Sequence, residues 1–405
     1  MLYNISIIVY GSIIKLAAIW NKKAKLWING RKDFWKILPS LDDKKEVVWF
    51  HCASMGEYDQ ALPVMQSYKD QFPNSFLLIT FFSPSGYEFL KDKSIGDHTC
   101  YLPLDTPNNA KNFVSHFKPI RVFFVKYEFW LNYIDACKSN KVSIYGLSAV
   151  FHSNQRFFKW YAGRFRNMIG KFEHFFLQNE ESAEVLKSKG YSHYTVTGDT
   201  RFDRVVERTK KDYSNKIISS FVNINEPTLV VGSSWPKDEE LIIPFINKEA
   251  QRIKSIIAPH EVDESHINDI IGALEVPFQR YTALDNGEQL AEKTRVIILD
   301  CIGVLAFAYK YGTMAYVGGG FGSGLHNILE PAAFGLPVVF GPNYSKFPEA
   351  GRFINEKIGI SIRTVEELEE AIEVFLNQSS KEKVTKYISN QCGATSKVIE
   401  YLTKQ

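Results

Sequence analysis

The sequence predicts an α/β protein of two doubly wound, Rossmann-like domains that face each other across a cleft, preceded by a membrane-associating helix. The chain has 405 residues, which is too long for one ordinary hydrophobic core. From residue 46 onwards, short apolar runs alternate with helical stretches, a pattern typical of parallel sheets covered on both faces. The alternation pauses over the polar stretch 200–225 and then resumes, which indicates a second domain.

The strands and the domain limits follow from this alternation. We predict an N-terminal segment over 1–30, a first domain over 31–214 and a second over 215–405. The predicted strands of the first domain are 47–50, 76–82, 121–125, 142–148 and 174–178. Those of the second are 228–232, 252–258, 295–299, 313–318 and 337–340. The last helix, about 385–405, has helical spacing and can pack back on the first domain.

The N-terminus is the candidate membrane element. Residues 2–20 are mostly apolar and long enough to reach across a bilayer core, although Lys15 makes full insertion costly. The next sixteen residues carry six Lys or Arg, which reverses the charge order of a secretory signal peptide. The segment is either a buried helix with a solvated basic loop or an uncleaved anchor with its basic flank on the cytoplasmic side. We favour the anchor.

Composition excludes several function classes. The net charge of +3 gives no basic field for nucleic acid. Five scattered cysteines predict a reducing compartment, and the nine histidines show no metal-ligand spacing, so we expect no metal and no cofactor. No GxGxxG follows the first strand and no GxxxxGK[ST] is present, which argues against a dinucleotide redox enzyme and a P-loop NTPase.

Charged residues follow three predicted strands of the first domain. Glu57 comes after the first strand and a Ser-Met-Gly turn, where it is either a helix-terminal charge or a general base. Lys126 and Glu128 follow the strand 121–125 directly. Arg201, in the segment TGDTRFD, either holds a phosphate or carboxylate or forms a capping ion pair.

The second domain has a glycine-rich loop over 318–324 between a strand and a helix expected to open near His326. Such loops expose N–H groups suited to phosphate. Glu330, a turn further on, can hydrogen-bond the two hydroxyls of a ribose, as acidic residues do in other Rossmann sites. This combination predicts a nucleotide site.

These segments together resemble the Kdo (3-deoxy-manno-octulosonic acid) transferases of lipopolysaccharide biosynthesis, which are inverting enzymes of the GT-B fold. The similarity runs in order over nearly the whole chain. The matching segments are the N-terminal anchor, HCASMGEYDQA, KYEFWLN, LSAVFHSNQRFFKWY, TGDTRFD, VGSSWPKDEE, APHEVDE and LDCIGVLAFAYKYGTMAYVGGGFGSGLHNILEPAAFGLPVVFGP.

The resemblance implies roles for individual residues. Glu57 corresponds to the proton acceptor, and Glu128 and Arg201 correspond to residues that stabilise the transition state. The positions that correspond to CMP-binding residues are Pro259, His260, Ile302, Gly303, Val304, Asn327, Ile328, Leu329 and Glu330.

Four positions depart from the family pattern. Lys126 stands where an acidic residue is usual, and Arg201 replaces the usual Lys. His260 replaces an Arg and Val304 a Glu, which weakens the expectation of side-chain contacts to CMP.

The expected function is therefore transfer of Kdo from CMP-Kdo to a lipid A precursor (lipid IVA). The expected partners are CMP-Kdo, this acceptor and inner-membrane lipid, with no nucleic acid, at the cytoplasmic side of the cell inner membrane. Two alternatives stay open: a GT-B enzyme that uses a different nucleotide sugar such as a UDP-sugar, and a catalytically silent binding protein on the same fold.

Overall fold

A computed structural model describes residues 2–39, 41, 45–155, 158–159, 163–210, 212, 214–223, 225–322, 324–377 and 380–405. Parts of the segment LSAVFHSNQRFFKWY and residue 323 of the glycine-rich loop lie outside this range. The chain forms two compact units, an N-terminal unit of Met1–Arg204 with Gln391–Gln405 and a C-terminal unit of Val205–Asn390. The division falls within a helix, Thr200–Thr209, and before the junction expected near residue 215.

The N-terminal unit is a three-layer α/β structure. Its strands are β1 (Glu46–Cys52), β2 (Ser75–Phe81), β3 (His98–Tyr101), β4 (Arg121–Val125), β5 (Ser143–Ala149), β6 (His174–Leu177) and β7 (Tyr194–Val196). Its helices are α1 (Leu2–Ala17), α2 (Lys22–Asn29), α3 (Met55–Gln71), α4 (Pro84–Leu90), α5 (Pro107–Phe117), α6 (Leu131–Ser139), α7 (Gly163–Ile169), α8 (Glu180–Ser188) and the start of α9 (Thr200–Thr209), with a 3₁₀ turn at Phe34–Lys36.

The N-terminal sheet is parallel, in the order β3-β2-β1-β4-β5-β6-β7. Alternate residues of β1 enter opposite cores: Trp49 packs with Phe124 on one face, and Phe50 with Phe123 on the other. Continuously apolar strands thus bury both faces of the sheet under helices.

The C-terminal unit has a second parallel sheet, in the order β10-β11-β9-β8-β12-β13-β14. Its helices are α10 (Lys216–Phe221), α11 (Pro236–Glu249), α12 (Glu264–Ala273), α13 (Tyr281–Asp285), α14 (Leu305–Tyr311), α15 (Leu329–Ala333), α16 (Pro348–Asn355), α17 (Val365–Leu376) and α18 (Ser380–Gln391). Its strands are β8 (Thr228–Ser234), β9 (Lys254–Pro259), β10 (Phe278–Arg280), β11 (Val296–Ile298), β12 (Met314–Val317), β13 (Val338–Phe340) and β14 (Gly359–Ser361). The prediction of two parallel-sheet α/β domains is confirmed.

The last helix, α19 (Ala394–Thr403), belongs to the N-terminal unit. Val398 and Leu402 are buried in the same core as Tyr58 and Met65 of α3. The C-terminal end of the chain therefore stabilises the helix that begins beside Glu57.

Helix α1 packs on the N-terminal unit by one face only. The Tyr3 hydroxyl donates to the buried Asp105 carboxylate, and a methyl group at Gly11 would lie 2.7 Å from a methyl of Leu104. The opposite face exposes large apolar side chains, namely Ile5, Ile8, Val9, Ile13 and Leu16. Within the described ranges, we find no helix with both the length and the apolar character that crossing a bilayer requires.

Candidate active site

The carboxyl edge of the N-terminal sheet brings together charged residues of two loops, those that follow β1 and β4. The strand order reverses between β1 and β4, and doubly wound sheets bind ligands outside the carboxyl ends of their strands at such a point. The turn after β1 leads to Glu57, and the turn after β4 carries Lys126 and Glu128. The fold thus brings the expected proton acceptor and one expected transition-state stabiliser to the switch point.

Glu57 lies in the first turn of α3 and is buried. Its carboxylate accepts hydrogen bonds from the backbone N–H of Ser54 at 2.7 Å and from the Ser54 hydroxyl at 3.2 Å. Burial raises the pKa of Glu57, against the opposing effects of these hydrogen bonds and of Lys126. A raised pKa brings a carboxylate closer to the range in which a general base works at neutral pH. The same side chain therefore caps α3 and is suited to be a base.

Glu128 is a second carboxylate with a raised pKa. Burial, followed by the negative charge of Glu57, raises the pKa of Glu128 to about 7. Two carboxylates that influence each other in this way cannot both ionise easily near neutral pH. The two carboxylates therefore compete for a proton near neutral pH, and Glu57 is available as the base when Glu128 holds that proton.

Lys126 supplies a positive charge that acts on both carboxylates. It lowers the pKa of both Glu57 and Glu128. Its backbone has a φ of 60°, the left-handed region that non-glycine residues rarely adopt, and its N–H donates to the Leu147 carbonyl at 2.9 Å. Sequence reasoning noted Lys126 only as a departure from the family pattern, and its effect on both carboxylates was missed.

The Phe-Trp pair after Glu128 fixes the loop in place. The Phe129 ring is buried against Phe172, with centroids 4.9 Å apart. The Trp130 indole N–H donates to Nε2 of His51 at 2.9 Å. Burial lowers the pKa of His51 to about 3, so this histidine stays neutral and serves as an acceptor. These contacts tie the Glu128 loop to β1.

Arg201 is held by Asp199 at the start of α9. The Asp199 carboxylate accepts from Nε of Arg201 at 2.9 Å, lies 2.8 Å from Nη2, and also accepts from the Arg201 backbone N–H. The buried Gln60 amide donates to the same carboxylate at 3.1 Å. Since Gln60 lies one turn after Glu57 on α3, Asp199 links Arg201 to the helix of the expected base.

The next two residues of this segment have structural roles. Phe202 is buried in the unit. The Asp203 carboxylate accepts from the backbone N–H groups of Gly393 at 2.6 Å and Thr395 at 2.7 Å, and so caps α19.

In the C-terminal unit, the sheet order reverses between β8 and β12, and an aromatic stack lies at that edge. The His260 ring stacks on both Trp235 and His326, with centroids 4.5 Å apart in each case. The Trp235 indole N–H donates to Nε2 of His326 at 3.0 Å. Burial, followed by the neighbouring His260, lowers the pKa of His326. His260, expected to be a weakened nucleotide contact, is therefore part of a planar stacking surface.

The glycine-rich loop does not present its N–H groups as expected. Those of Gly322 and Gly324 donate to the Gly319 carbonyl, and that of Gly318 donates to Gly232. The glycines are needed for close packing instead, since a Cβ at Gly318 would lie 2.2 Å from the Ser233 carbonyl oxygen. The helix also begins at Leu329 and not near His326, and it has only five residues. The expected helix start near His326 was therefore wrong, whereas phosphate binding by this loop stays a prediction.

Asp238 organises this loop and was not identified from the sequence. It is 1% exposed and accepts from the Trp235 N–H at 2.9 Å, the Tyr316 hydroxyl at 2.8 Å and the Gly319 N–H at 2.9 Å. One carboxylate thus joins the loops after β8 and β12. A capping-box pattern in WPKD was the available signal, but its long-range partners have no sequence signature.

The remaining expected CMP-binding positions differ in accessibility. Ile302 and Gly303 lie in the loop after β11, and Ile302 is 88% exposed. Val304 precedes α14, and Pro259 ends β9. Ile328 and Leu329 are buried in the core, so their side chains cannot contact a ligand. The exposed Asn327 and half-buried Glu330 side chains can contact a ligand.

The described residues contain no group of three or more His, Cys, Asp or Glu side chains arranged to hold a metal ion. Each unit has its own candidate site: a carboxylate pair with neighbouring cations in the N-terminal unit, and an aromatic stack with a carboxylate in the C-terminal unit.

Comparison with known proteins relates the chain to one enzyme family. Residues 29–204 match the family model described as 3-deoxy-D-manno-octulosonic-acid transferase (kdotransferase). A 3-deoxy-D-manno-octulosonic acid transferase of Rickettsia bellii is 26% identical over 355 residues, which cover 86% of this chain and 84% of the relative. That of Aquifex aeolicus is 28% identical over 353 residues, covering 85% and 90%.

Among solved structures, UDP-GlcNAc 2-epimerase from Neisseria meningitidis bound to UDP-GlcNAc aligns with a TM-score of 0.60. The alignment covers 89% of this chain and 100% of that chain at 15% sequence identity. This likeness concerns the fold alone.

Proposed function

We propose, from its similarity to the 3-deoxy-D-manno-octulosonic acid (Kdo) transferases, that the chain is a member of this family and transfers Kdo from CMP-Kdo to a lipid A precursor. The observation that carries the proposal is the carboxylate pair of the buried Glu57 and the half-buried Glu128 at the switch point of the N-terminal unit. Both lie within the segment that the family model matches. A glycosyl transfer to a hydroxyl needs a base at such a position.

The proposed reaction is an in-line displacement at the anomeric carbon of Kdo. The acceptor hydroxyl oxygen forms the new glycosidic bond, while the bond from that carbon to the phosphate oxygen breaks and CMP leaves with the electron pair. Glu57 takes the hydroxyl proton, and the displacement inverts the anomeric configuration. A phosphate leaving group is already ionised at neutral pH, so it needs positive charge and not a general acid.

Within this scheme, Arg201 is the proposed source of that charge in the N-terminal unit. Asp199 fixes the direction of its guanidinium, and a fixed donor loses little reorganisation energy when charge develops. Glu128 acts as a hydrogen-bond donor beside the base when it holds the proton for which the two carboxylates compete.

Binding of the CMP moiety is proposed for the carboxyl edge of the C-terminal sheet. The stack of Trp235, His260 and His326 offers aromatic faces for the cytosine ring. Glu330 is the proposed acceptor for the ribose hydroxyls.

The acceptor is proposed to reach the enzyme from the cytoplasmic side of the inner membrane. Supporting this is the face of α1 that exposes Ile8 and Ile13, followed by the exposed Lys22, Lys23 and Lys25. A helix with one packed and one apolar exposed face suits attachment in the plane of the interface. Arg31 is not part of this basic flank, because its guanidinium turns inward and donates to three backbone carbonyls, those of Trp27, Phe82 and Leu102.

The test is incubation of the full chain with CMP-Kdo and tetraacyl lipid A precursor, followed by mass spectrometry of the lipid. The expected result is a mass increase of one or more Kdo residues, with CMP released. Parallel reactions with UDP-sugars provide the control. Turnover of a UDP-sugar without turnover of CMP-Kdo would reject the proposed donor.

A further inference from the structure

Arg208, near the end of α9, forms an ion pair with Glu330 inside the C-terminal unit. Nη1 of Arg208 donates to Oε1 of Glu330 at 2.8 Å. Both side chains are about one-third exposed, at 30% and 32%. The contact joins residues 122 positions apart, so it was not visible in the sequence.

The ion pair with Arg208 affects how the Glu330 carboxylate can bind hydroxyl groups. Such a carboxylate must be ionised, and its oxygens must point at the two hydroxyls. A guanidinium remains charged at all physiological pH values and holds a carboxylate in a defined direction through its planar donor groups. Lysine would supply the charge with less control of direction.

We propose that Arg208 is a positioning residue for the nucleotide: it holds the Glu330 carboxylate in the direction that the ribose hydroxyls need. This inference rests on the proposed function, because it assumes that Glu330 meets the ribose of CMP. Arg208 acts through Glu330 and makes no separate contribution to ribose recognition.

Calorimetry of the full chain with CMP and with 2′,3′-dideoxy-CMP tests the proposal. Arg208→Ala should weaken CMP binding by about fivefold, the order expected when a partly exposed charge pair is lost, and should leave dideoxy-CMP binding unchanged. Arg208→Lys should recover part of the loss. Arg252→Ala, which removes an exposed ion pair with Glu373 in the same unit, is the matched control and should bind both nucleotides as the wild type does.

A double-mutant cycle with Glu330→Ala separates an indirect role from a direct one. If Arg208 acts through Glu330, Arg208→Ala has no further effect on CMP affinity in the Glu330→Ala background. Additive losses, equal losses for both nucleotides, or tighter CMP binding by Arg208→Ala would each overturn the inference while leaving the proposed donor intact. A wild-type chain that does not bind CMP would reject the proposed donor and the inference together.

Discussion

Asp199 binds the guanidinium of Arg201 through one carboxylate oxygen, which lies 2.9 Å from Nε and 2.8 Å from Nη2. The other carboxylate oxygen accepts from the Gln60 amide and the Arg201 backbone N–H. The Asp199 side chain is only 9% exposed, so these contacts are shielded from water. Arg201 therefore has a fixed direction before any ligand binds.

The first prediction concerns this contact. Asp199→Asn keeps the shape of the side chain but removes its charge, so Arg201 loses its fixed direction. We expect turnover to fall about tenfold or more, because a misplaced charged donor loses much of its effect on the transition state. The KM for CMP-Kdo should change little. Steady-state kinetics measures both.

Asp135→Asn is the matched control, since it removes a carboxylate from Arg164 and Lys171 elsewhere in the same unit. Its kinetics should equal those of the wild type. Equal turnover in Asp199→Asn and wild type would show that the Asp199 contact has no part in catalysis.

The second prediction separates the two roles of Glu57. Glu57→Gln retains an acceptor for the Ser54 N–H, because glutamine also completes a capping box. It cannot take a proton, so turnover should fall by at least about a hundredfold with CMP affinity unchanged. Glu57→Ala should lose turnover to the same extent and should also lower the melting temperature, since the cap is removed.

Thermal unfolding and turnover of both variants provide the measurement. If Glu57→Gln turns over near the wild-type rate, Glu57 is a capping residue only. In that case another group must accept the proton.

The third prediction is a pair of opposite shifts in the pH dependence of kcat/KM. The base must be deprotonated, so activity falls as the pH drops through its pKa. The charge repulsion between Glu57 and Glu128 is mutual, so an ionised Glu128 favours the protonated form of Glu57. Lys126 is a positive neighbour that favours the ionised form of Glu57. Glu128→Gln should therefore move the acidic limb to lower pH, and Lys126→Met should move it to higher pH.

The pH at which the acidic limb of the kcat/KM profile falls does not depend on the maximal rate. The two variants can therefore be compared with the wild type even where one of them is slow. Shifts of both variants in the same direction would contradict the assigned charges. An unchanged limb in both would mean that the acidic limb reports a group other than Glu57.

The buried strands and the two carboxylates at the sheet edge could be predicted from the sequence for physical reasons. The apolar runs that became β1 and β4 are buried on both faces, and such strands have a strong local signal. Glu57 and Glu128 could be placed near each other because carboxyl ends of parallel strands share an edge.

Polar contacts between residues far apart in the chain left no local pattern in the sequence. The pairing of Trp130 with His51, and of Asp238 with Gly319, depends on which loops approach each other after folding. The hydrogen bonds within the glycine-rich loop had no local signal either. Its glycines allow close backbone packing, and sequence alone does not distinguish this from phosphate binding. Likewise, Arg31 counted as a surface charge until its backbone acceptors were known.

The fourth prediction concerns the exposed apolar face of α1. Deleting the helix would also remove the contact of Tyr3 with Asp105, so point variants on the exposed face are the cleaner test. Ile8→Gln with Ile13→Gln should abolish salt-resistant attachment to vesicles, because burying each isoleucine contributes ~1.5–3 kcal/mol. The fold should not change, since both side chains face outward.

A second variant isolates the basic flank. Replacing Lys22, Lys23 and Lys25 by Gln should weaken attachment to anionic vesicles at low salt, at about 1 kcal/mol per residue, and should leave the salt-resistant part intact. Flotation with neutral and anionic vesicles at low and high salt distinguishes the two contributions, because hydrocarbon burial is not screened by ions. If the wild-type chain fails to float under every condition, the exposed face of α1 does not meet lipid, and the proposed location at the inner membrane is wrong.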